Sequence, residues 1–219
     1  MKKLTKLLIG TSNPGKVGEL LSILAESPFE LVTPRQIGLT LEVEETGTTY
    51  AANARLKATA FARASGLLTL ADDSGLEVDA LGGEPGVYSA RYAGKGAGDA
   101  ERRAKLIATL RDVPPPRTAR FRCVLAIADP QESEPADPLS PPALALYFFE
   151  GTCEGEIVLE ERGSGGFGYD PIFFVPEYGC TLAELPEEVK NRISHRARAA
   201  QAALPFLRSL LRSRLARGR

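Results

Sequence analysis

Near the N-terminus, the run Gly10-Thr11-Ser12-Asn13-Pro14-Gly15-Lys16 has the residue types and spacing to hold phosphate. It follows an apolar stretch, Leu7-Leu8-Ile9, and precedes a helical pattern of Val17, Leu20, Leu21 and Leu24. A strand, a Gly-rich turn and a helix in that order aim backbone N–H groups and the positive end of a helix dipole at an anion. The spacing satisfies GxxxxGK, which opens a P-loop. The next position fails, because Val17 stands where a Ser or Thr hydroxyl would hold Mg²⁺. Pro14 also removes one N–H donor. A Gly/Pro turn that merely caps a helix is the other reading. If the turn does hold phosphate, carboxylates elsewhere must hold the metal.

Two acidic pairs are available. Asp72-Asp73 follows an uncharged stretch, Leu67–Ala71, that reads as a buried strand. Open α/β sheets place their ligands at such strand ends. Neighbouring strand residues face opposite ways, so one carboxylate binds metal or water while the other supports it. An Asx-turn explains the pair equally simply. Glu44-Glu45 is the second pair, or an ordinary solvated loop. Asn53 and Lys57 share a helix face, forming either a polar wall or an exposed surface. Phe167 sits in a Gly-rich loop where nothing local buries it; a stacked base would, and so would packing between lobes. His195 is the only histidine, and with Lys190, Arg192 and Arg196 it groups donors suited to an anion or an oxo group.

The elements that must position these residues are legible in outline. Phe29–Val32 reads as a strand closed by Pro34. Thr48 is a candidate N-cap for a helix over Tyr50–Ser65, stopped by Gly66. Leu76–Asp79 alternates as a half-exposed strand, and Leu81–Gly98 reads as a long loop. A helix from about Asp99 to Arg111 stops before Pro114-Pro115-Pro116. Thr118–Ala128 is strand-like, Asp129–Pro142 reads as an exposed hairpin tip, and Ala143–Glu150, Glu154–Glu160 and Ile172–Val175 are further strands. Pro186-Glu187-Glu188 opens a helix, and Ser194 caps a last one reaching about Leu215. About three α-helices flanking seven or eight strands predict an α/β fold with a mixed sheet. The helix-poor stretch Thr118–Val175 predicts a second lobe, with a cleft between the two.

The 219 residues carry 27 basic and 28 acidic side chains. That balance gives no general case for a nucleic-acid or membrane partner. No stretch approaches the ~20 apolar residues of a membrane span. Cys123, Cys153 and Cys180 lack zinc spacing and fit a reducing, cytoplasmic setting. Beyond Glu188 no acidic residue occurs while arginines continue to Arg219, which predicts a solvated helix face and a frayed tail.

The motifs GTSNPGK, EETGTTY with the following Asn53-Ala54 and Lys57-Ala58, ADDSGLEVDALGGEPGVYSARYAG, GGFGYDPIF and KNRISHRARA occur in fixed order from about Leu7 to Ala200. In this the chain resembles the inosine triphosphate pyrophosphatase (Ham1-like) family, its non-standard purine branch in particular. The resemblance implies a Mg²⁺-dependent hydrolase that cuts inosine, deoxyinosine and xanthosine triphosphates to the monophosphate and pyrophosphate. It implies that Thr11, Ser12, Asn13, Pro14, Gly15 and Lys16 bind phosphate, with Asn53 and Lys57 lining the site. Asp73 is then metal ligand and proton acceptor, Ser74 touches substrate, and Glu45 is the second metal ligand with Glu44 its rival. Phe167, Gly168, Tyr169 and Asp170 correspond to a base-binding loop, and Lys190, His195 and Arg196 to substrate contacts. The implied fold is a single elongated, two-lobed mixed α/β domain over 1–219, with substrate between the lobes, usually as a homodimer. Ala52 departs from the pattern, which commonly has Glu before Asn53. An enzyme for pyrimidine triphosphates, a P-loop NTPase or kinase, and a non-catalytic nucleotide sensor are the alternatives; Val17 argues against the P-loop.

Overall fold

Leu7, Leu8 and Ile9 are fully buried and form the centre of strand β1 (Lys6–Ile9). The computed structural model describes residues 5–134 and 143–217. In it β1 pairs in parallel with both β2 (Glu30–Val32) and β3 (Leu68–Val78). Parallel neighbours need long crossovers, and α1 (Pro14–Ile23) and α2 (Tyr50–Ser65) provide them. Gly10 is required where β1 leaves the sheet. A Cβ there would meet Thr69 Cγ2 at 2.9 Å and Phe61 at 3.3 Å.

The remaining elements are α3 (Asp99–Thr109), β4 (Thr118–Glu134), β5 (Ala143–Ile157), β6 (Phe173–Val175), β7 (Cys180–Thr181), α4 (Glu187–Ile193) and α5 (His195–Arg217). Among the described residues the strands form one seven-stranded sheet in the order β2-β1-β3-β4-β5-β6-β7. β5, β6 and β7 run antiparallel, so the sheet is mixed and the expected α/β class stands. Contacts divide the chain into two units. One comprises Met1–Asp73, Val124–Glu150 and Ala199–Arg219; the other comprises Ser74–Cys123 and Gly151–Arg198. The first includes a cluster of Leu8, Val32 and Phe61. The second is built on Leu76, Leu106, Phe121, Ile172 and Phe173.

Several boundaries differ from the sequence reading. Asp72-Asp73 does not end a strand, because β3 runs on through both carboxylates to Val78. Asp favours a turn when its side chain bonds the neighbouring backbone; here each carboxylate instead meets a lysine. Thr49, not Thr48, caps α2, accepting from Ala52 N–H, while the helix itself spans the expected residues and ends at Gly66. Two strands expected over 143–160 are one, β5. Leu81–Gly98 holds a 3-10 turn at Gly86–Arg91, β7 was not anticipated, and all five helical segments read from the sequence form among the described residues, where the summary count was about three. The expected hairpin tip lies for residues 135–142 outside the described residues.

Asp129 corrects the reading of 129–142 as an exposed connection. It sits within β4, is 0 % exposed, and accepts from Arg214 Nη2 at 2.5 Å. Arg214 is accordingly no part of a solvated tail. Tyr147 and Phe149 of β5 pack on Phe206 of α5, with ring centroids 4.2 and 5.5 Å apart. Removing one partner of a buried ion pair leaves an uncompensated charge. Arg214→Ala should therefore lower stability by about 3 kcal/mol in urea unfolding; a loss under about 0.5 kcal/mol, typical of exposed pairs, would contradict this role.

Candidate active site

The side chains expected to do chemistry fall into two groups, one in each unit, and consecutive residues of β3 contribute to them. In the first, Asn13 caps α1, its side chain accepting from Lys16 N–H at 3.1 Å. Pro14 takes the first helical turn, where a missing N–H costs the helix no bond. Thr11 is buried, and its hydroxyl accepts from Asn13 N–H at 3.3 Å. Ser12, Asn13 and Pro14 are exposed and Gly15 half-buried, so the turn remains open to an anion. Lys16 places Nζ 2.9 Å from Asp72, whose carboxylate is 0 % exposed. A mostly apolar cavity of about 620 Å³ lies beside the turn, lined by Thr11, Ser12, Val17, Pro34 and Phe61 among others. Asp73, Lys57 and Glu45 are not in its walls.

Asp73 points the other way from Asp72, as alternation requires. It is 5 % exposed and accepts from Asn53 Nδ2 at 3.1 Å and Lys57 Nζ at 3.2 Å. The shared face of Asn53 and Lys57 is thus a buried polar wall. Lys57 also donates to Glu45 Oε1 at 2.5 Å, whereas Glu44 is exposed. Asn53 Oδ1 accepts from Gly47 N–H at 2.8 Å and so ties the Glu45 turn to α2. The fit is tight: a Cβ on Gly47 would lie 2.7 Å from the Cβ of Ala52. Ala52, the departure from the family pattern, therefore lies directly under this turn.

Burial pushes the Asp73 carboxyl up, and the Glu45 charge adds to this; Lys57, Lys16 and Asn53 pull it down without reversing it. Burial alone would lower the Lys57 ammonium, but Asp72, Asp73 and Glu45 outweigh it and the net shift is upward. Two carboxylates, Asp73 and Glu45, thus converge on one cation. Among the described residues no group of three His, Cys, Asp or Glu forms a closed metal cage. The donor set suits Mg²⁺, which takes one or two carboxylates and completes its shell with water and substrate phosphate.

The second group surrounds the loop ending at Asp170. Phe167 is half-buried, with Lys190 Nζ 5.2 Å and Arg196 Cζ 5.7 Å from its ring centroid. Asp170 is buried and accepts from Phe167 N–H at 2.9 Å and Lys190 Nζ at 2.6 Å. It shapes the loop from inside. Tyr169 is also buried, its hydroxyl donating to Ser89 O at 2.9 Å, so its ring serves the core. Ser194 ends α4 and accepts from Ala197 N–H, which turns the chain into α5 and puts His195 and Arg196 in its first turn. His195 stacks on Phe121 at 4.7 Å and 12°. Arg196 is 2 % exposed and donates from Nη2 to Ser74 Oγ at 3.0 Å. Asp99 and Arg103 reach Gly168 as well. The sequence reading missed both, since nothing in a helical pattern marks which polar residue turns toward a distant loop.

The sequence model of the Ham1 family matches residues 7–206. The chain is 50% identical over 206 residues to the dITP/XTP pyrophosphatase of Desulforamulus reducens, covering 94% of this chain and 96% of that protein. It is 49% identical over 206 residues to the protein of that name from Methylococcus capsulatus, covering 94% and 97%. Among solved structures, a HAM1 protein from Coxiella burnetii superposes with a TM-score of 0.79 at 38% identity, covering 94% of this chain and all of that one. The Staphylococcus aureus Ham1 protein gives 0.78 at 38%, covering 94% and 99%.

The Lys57 ammonium makes the first group testable without any ligand. Lys57→Met should cost about 3 kcal/mol of stability at pH 8, because two carboxylates then face each other without their cation. A carboxyl raised in the folded state favours folding below its usual pKa, and that contribution is lost as pH rises through the folded value. The variant raises Asp73 further, so its deficit should shrink between pH 8 and pH 5 in urea unfolding. A deficit that grows on acidification would contradict the assigned contacts.

Proposed function

The chain belongs to the Ham1 family and is a nucleoside triphosphate pyrophosphatase, and from that premise we propose that it clears deaminated purine nucleotides. It hydrolyses dITP, ITP and XTP between the α- and β-phosphates, releasing the nucleoside monophosphate and pyrophosphate. The observation that carries this reading is Asp73 in the middle of β3, held by Asn53 and Lys57 with Glu45 on the same ammonium.

Thr11 to Lys16 receive the phosphates through the open turn at the start of α1. Asp73 and Glu45 are the residues that would hold Mg²⁺, with exposed Glu44 outside the set. When bound, the ion supplies charge against the phosphate oxygens and acidifies water. Asp73, whose pKa is raised by burial, takes a proton from the attacking water more readily than an ordinary aspartate. Lys16 and Lys57 offset the charge that accumulates on departing pyrophosphate. Their carboxylate partners hold both ammonium groups in place, so little ordering remains to be done on binding.

The second group reads the base. The half-buried ring of Phe167 offers a stacking face, and such stacking tolerates any base. Selectivity therefore falls to donors. Arg196 and His195 pair with the 6-oxo group of hypoxanthine or xanthine. Adenine presents a 6-amino donor there and leaves those groups unpaired, which supports strong rejection. Ser74 and Lys190 complete the substrate contacts, and Asp170 acts by fixing Lys190 and the Phe167 amide. The whole chain acts as one catalytic domain, as a homodimer working on the cytoplasmic nucleotide pool. Nucleic acid and membrane are not its partners, and among the described residues no helix is long and apolar enough to cross a membrane.

A panel of dITP, XTP, ATP, dGTP, dTTP and dUTP with Mg²⁺ tests the reading. The expected products are monophosphate and pyrophosphate, with dITP and XTP turned over fastest. Release of orthophosphate as first product, or preference for a pyrimidine, would refute it. Asp73→Asn should lower kcat at least ~10²-fold while leaving circular dichroism unchanged; near-normal turnover would remove Asp73 from the mechanism.

A further inference from the structure

Residues 163–168 have neither helix nor strand pairing to hold them, and Gly163, Gly166 and Gly168 all adopt positive φ. A segment of that composition samples many conformations unless its backbone is tied. The expected base-stacking ring, Phe167, lies in it. Its own amide is fixed from below by Asp170. The next peptide is fixed from another element. Gly168 N–H donates to Asp99 Oδ2 at 2.7 Å, and Arg103 Nη1 donates to Gly168 O at 2.9 Å. Asp99 and Arg103 lie one helical turn apart on α3, so their side chains share a face and grip both polar groups of a single residue.

Further contacts brace each arm. Asp99 Oδ1 accepts from Arg102, and Arg102 also donates to Ala90 O and Ala97 O. Glu101 accepts from Gly98 N–H and closes the start of α3. Arg103 Nη2 lies 2.9 Å from Glu161 Oε2. Burial pushes the Asp99 carboxyl up, but the Gly168 N–H and the Arg102 and Arg103 guanidinium groups pull it below its ordinary value. The donors that hold the loop thus also favour the charged form of the acceptor. Charged acceptors and donors make the stronger class of hydrogen bond.

We infer that Asp99 and Arg103 are positioning residues for the base-stacking loop, acting as a clamp that fixes the Gly168 peptide and thereby the ring of Phe167. This rests on the reading of Phe167 as the stacking residue, and it goes beyond it by making α3 part of base recognition. A group that only orients the stack contributes alike to ground state and transition state. Its loss therefore appears in KM and not in kcat.

The test is a double-mutant cycle. Asp99→Ala should raise the KM for dITP roughly tenfold, with kcat within about twofold. Asp99→Asn, which keeps an acceptor for the Gly168 N–H, should recover most of that loss. Added to Phe167→Ala, Asp99→Ala should cost nothing more, because both act through one ring. Additive losses, an unchanged KM, or a fall in kcat at constant KM would overturn the assignment. If Asp99→Ala does not fold, Arg103→Met carries the same expectations. Hydrogen exchange without nucleotide separates the clamp from the functional reading. The Gly168 amide should exchange at least tenfold faster in Asp99→Ala, and an unchanged rate overturns the clamp. Absence of dITP turnover by the wild-type protein would instead defeat the function proposed above.

Discussion

Two consecutive carboxylates buried in the middle of one strand are the constraint on which this molecule turns. Asp72 and Asp73 face opposite sides of β3, and neither can remain charged there without a cation of its own. Lys16 arrives from α1 and Lys57 from α2. The ion pairs that let the strand continue through an acidic pair are the same ones that fix the Lys16 and Lys57 ammonium groups of the proposed phosphate site. On that proposal folding and function draw on a single set of contacts, and Val17 needs no metal-holding hydroxyl because the carboxylates lie on β3 and in the Glu45 turn.

Much of this was legible from residue types alone. Tyr50–Ser65 announced a helix by periodicity and by Gly66, and the structure ends it there. The Asn53 and Lys57 pairing followed from spacing, though only the fold shows that the shared face is turned inward onto Asp73. The errors have one cause. Composition reports how polar a residue is, and pairing decides where it can sit. Asp72-Asp73 read as a strand end and Asp129 as part of a loop, because the sequence does not display the cations that bridge to them, Lys16 lying 56 positions from Asp72 and Arg214 85 from Asp129. Tyr169 and Asp170 were expected to contact substrate, whereas their side chains turn into the protein and hold their loop in shape.

The second unit shows a different economy of charge. Asp170, Lys190, Arg196 and Ser74 satisfy one another around an aromatic ring and leave donors facing a flat apolar surface. Buried networks of this kind are favourable only when every member is satisfied. The turn between α4 and α5 makes that possible, since Ser194 ends one helix and starts the next, setting Lys190 and Arg196 at fixed separation.

The close contact between Gly47 and Ala52 has a bearing on how this sequence can vary. The turn carrying Glu45 lies so near α2 that a Cβ at 47 would meet Asn53 Oδ1 at 2.6 Å as well as the Ala52 methyl at 2.7 Å. Any side chain at 47 must therefore lift the turn. Mutational libraries will accumulate losses at 47 whatever stands at 52, because trimming the methyl leaves Asn53 in place and with it the obstacle to keeping Glu45 over Lys57.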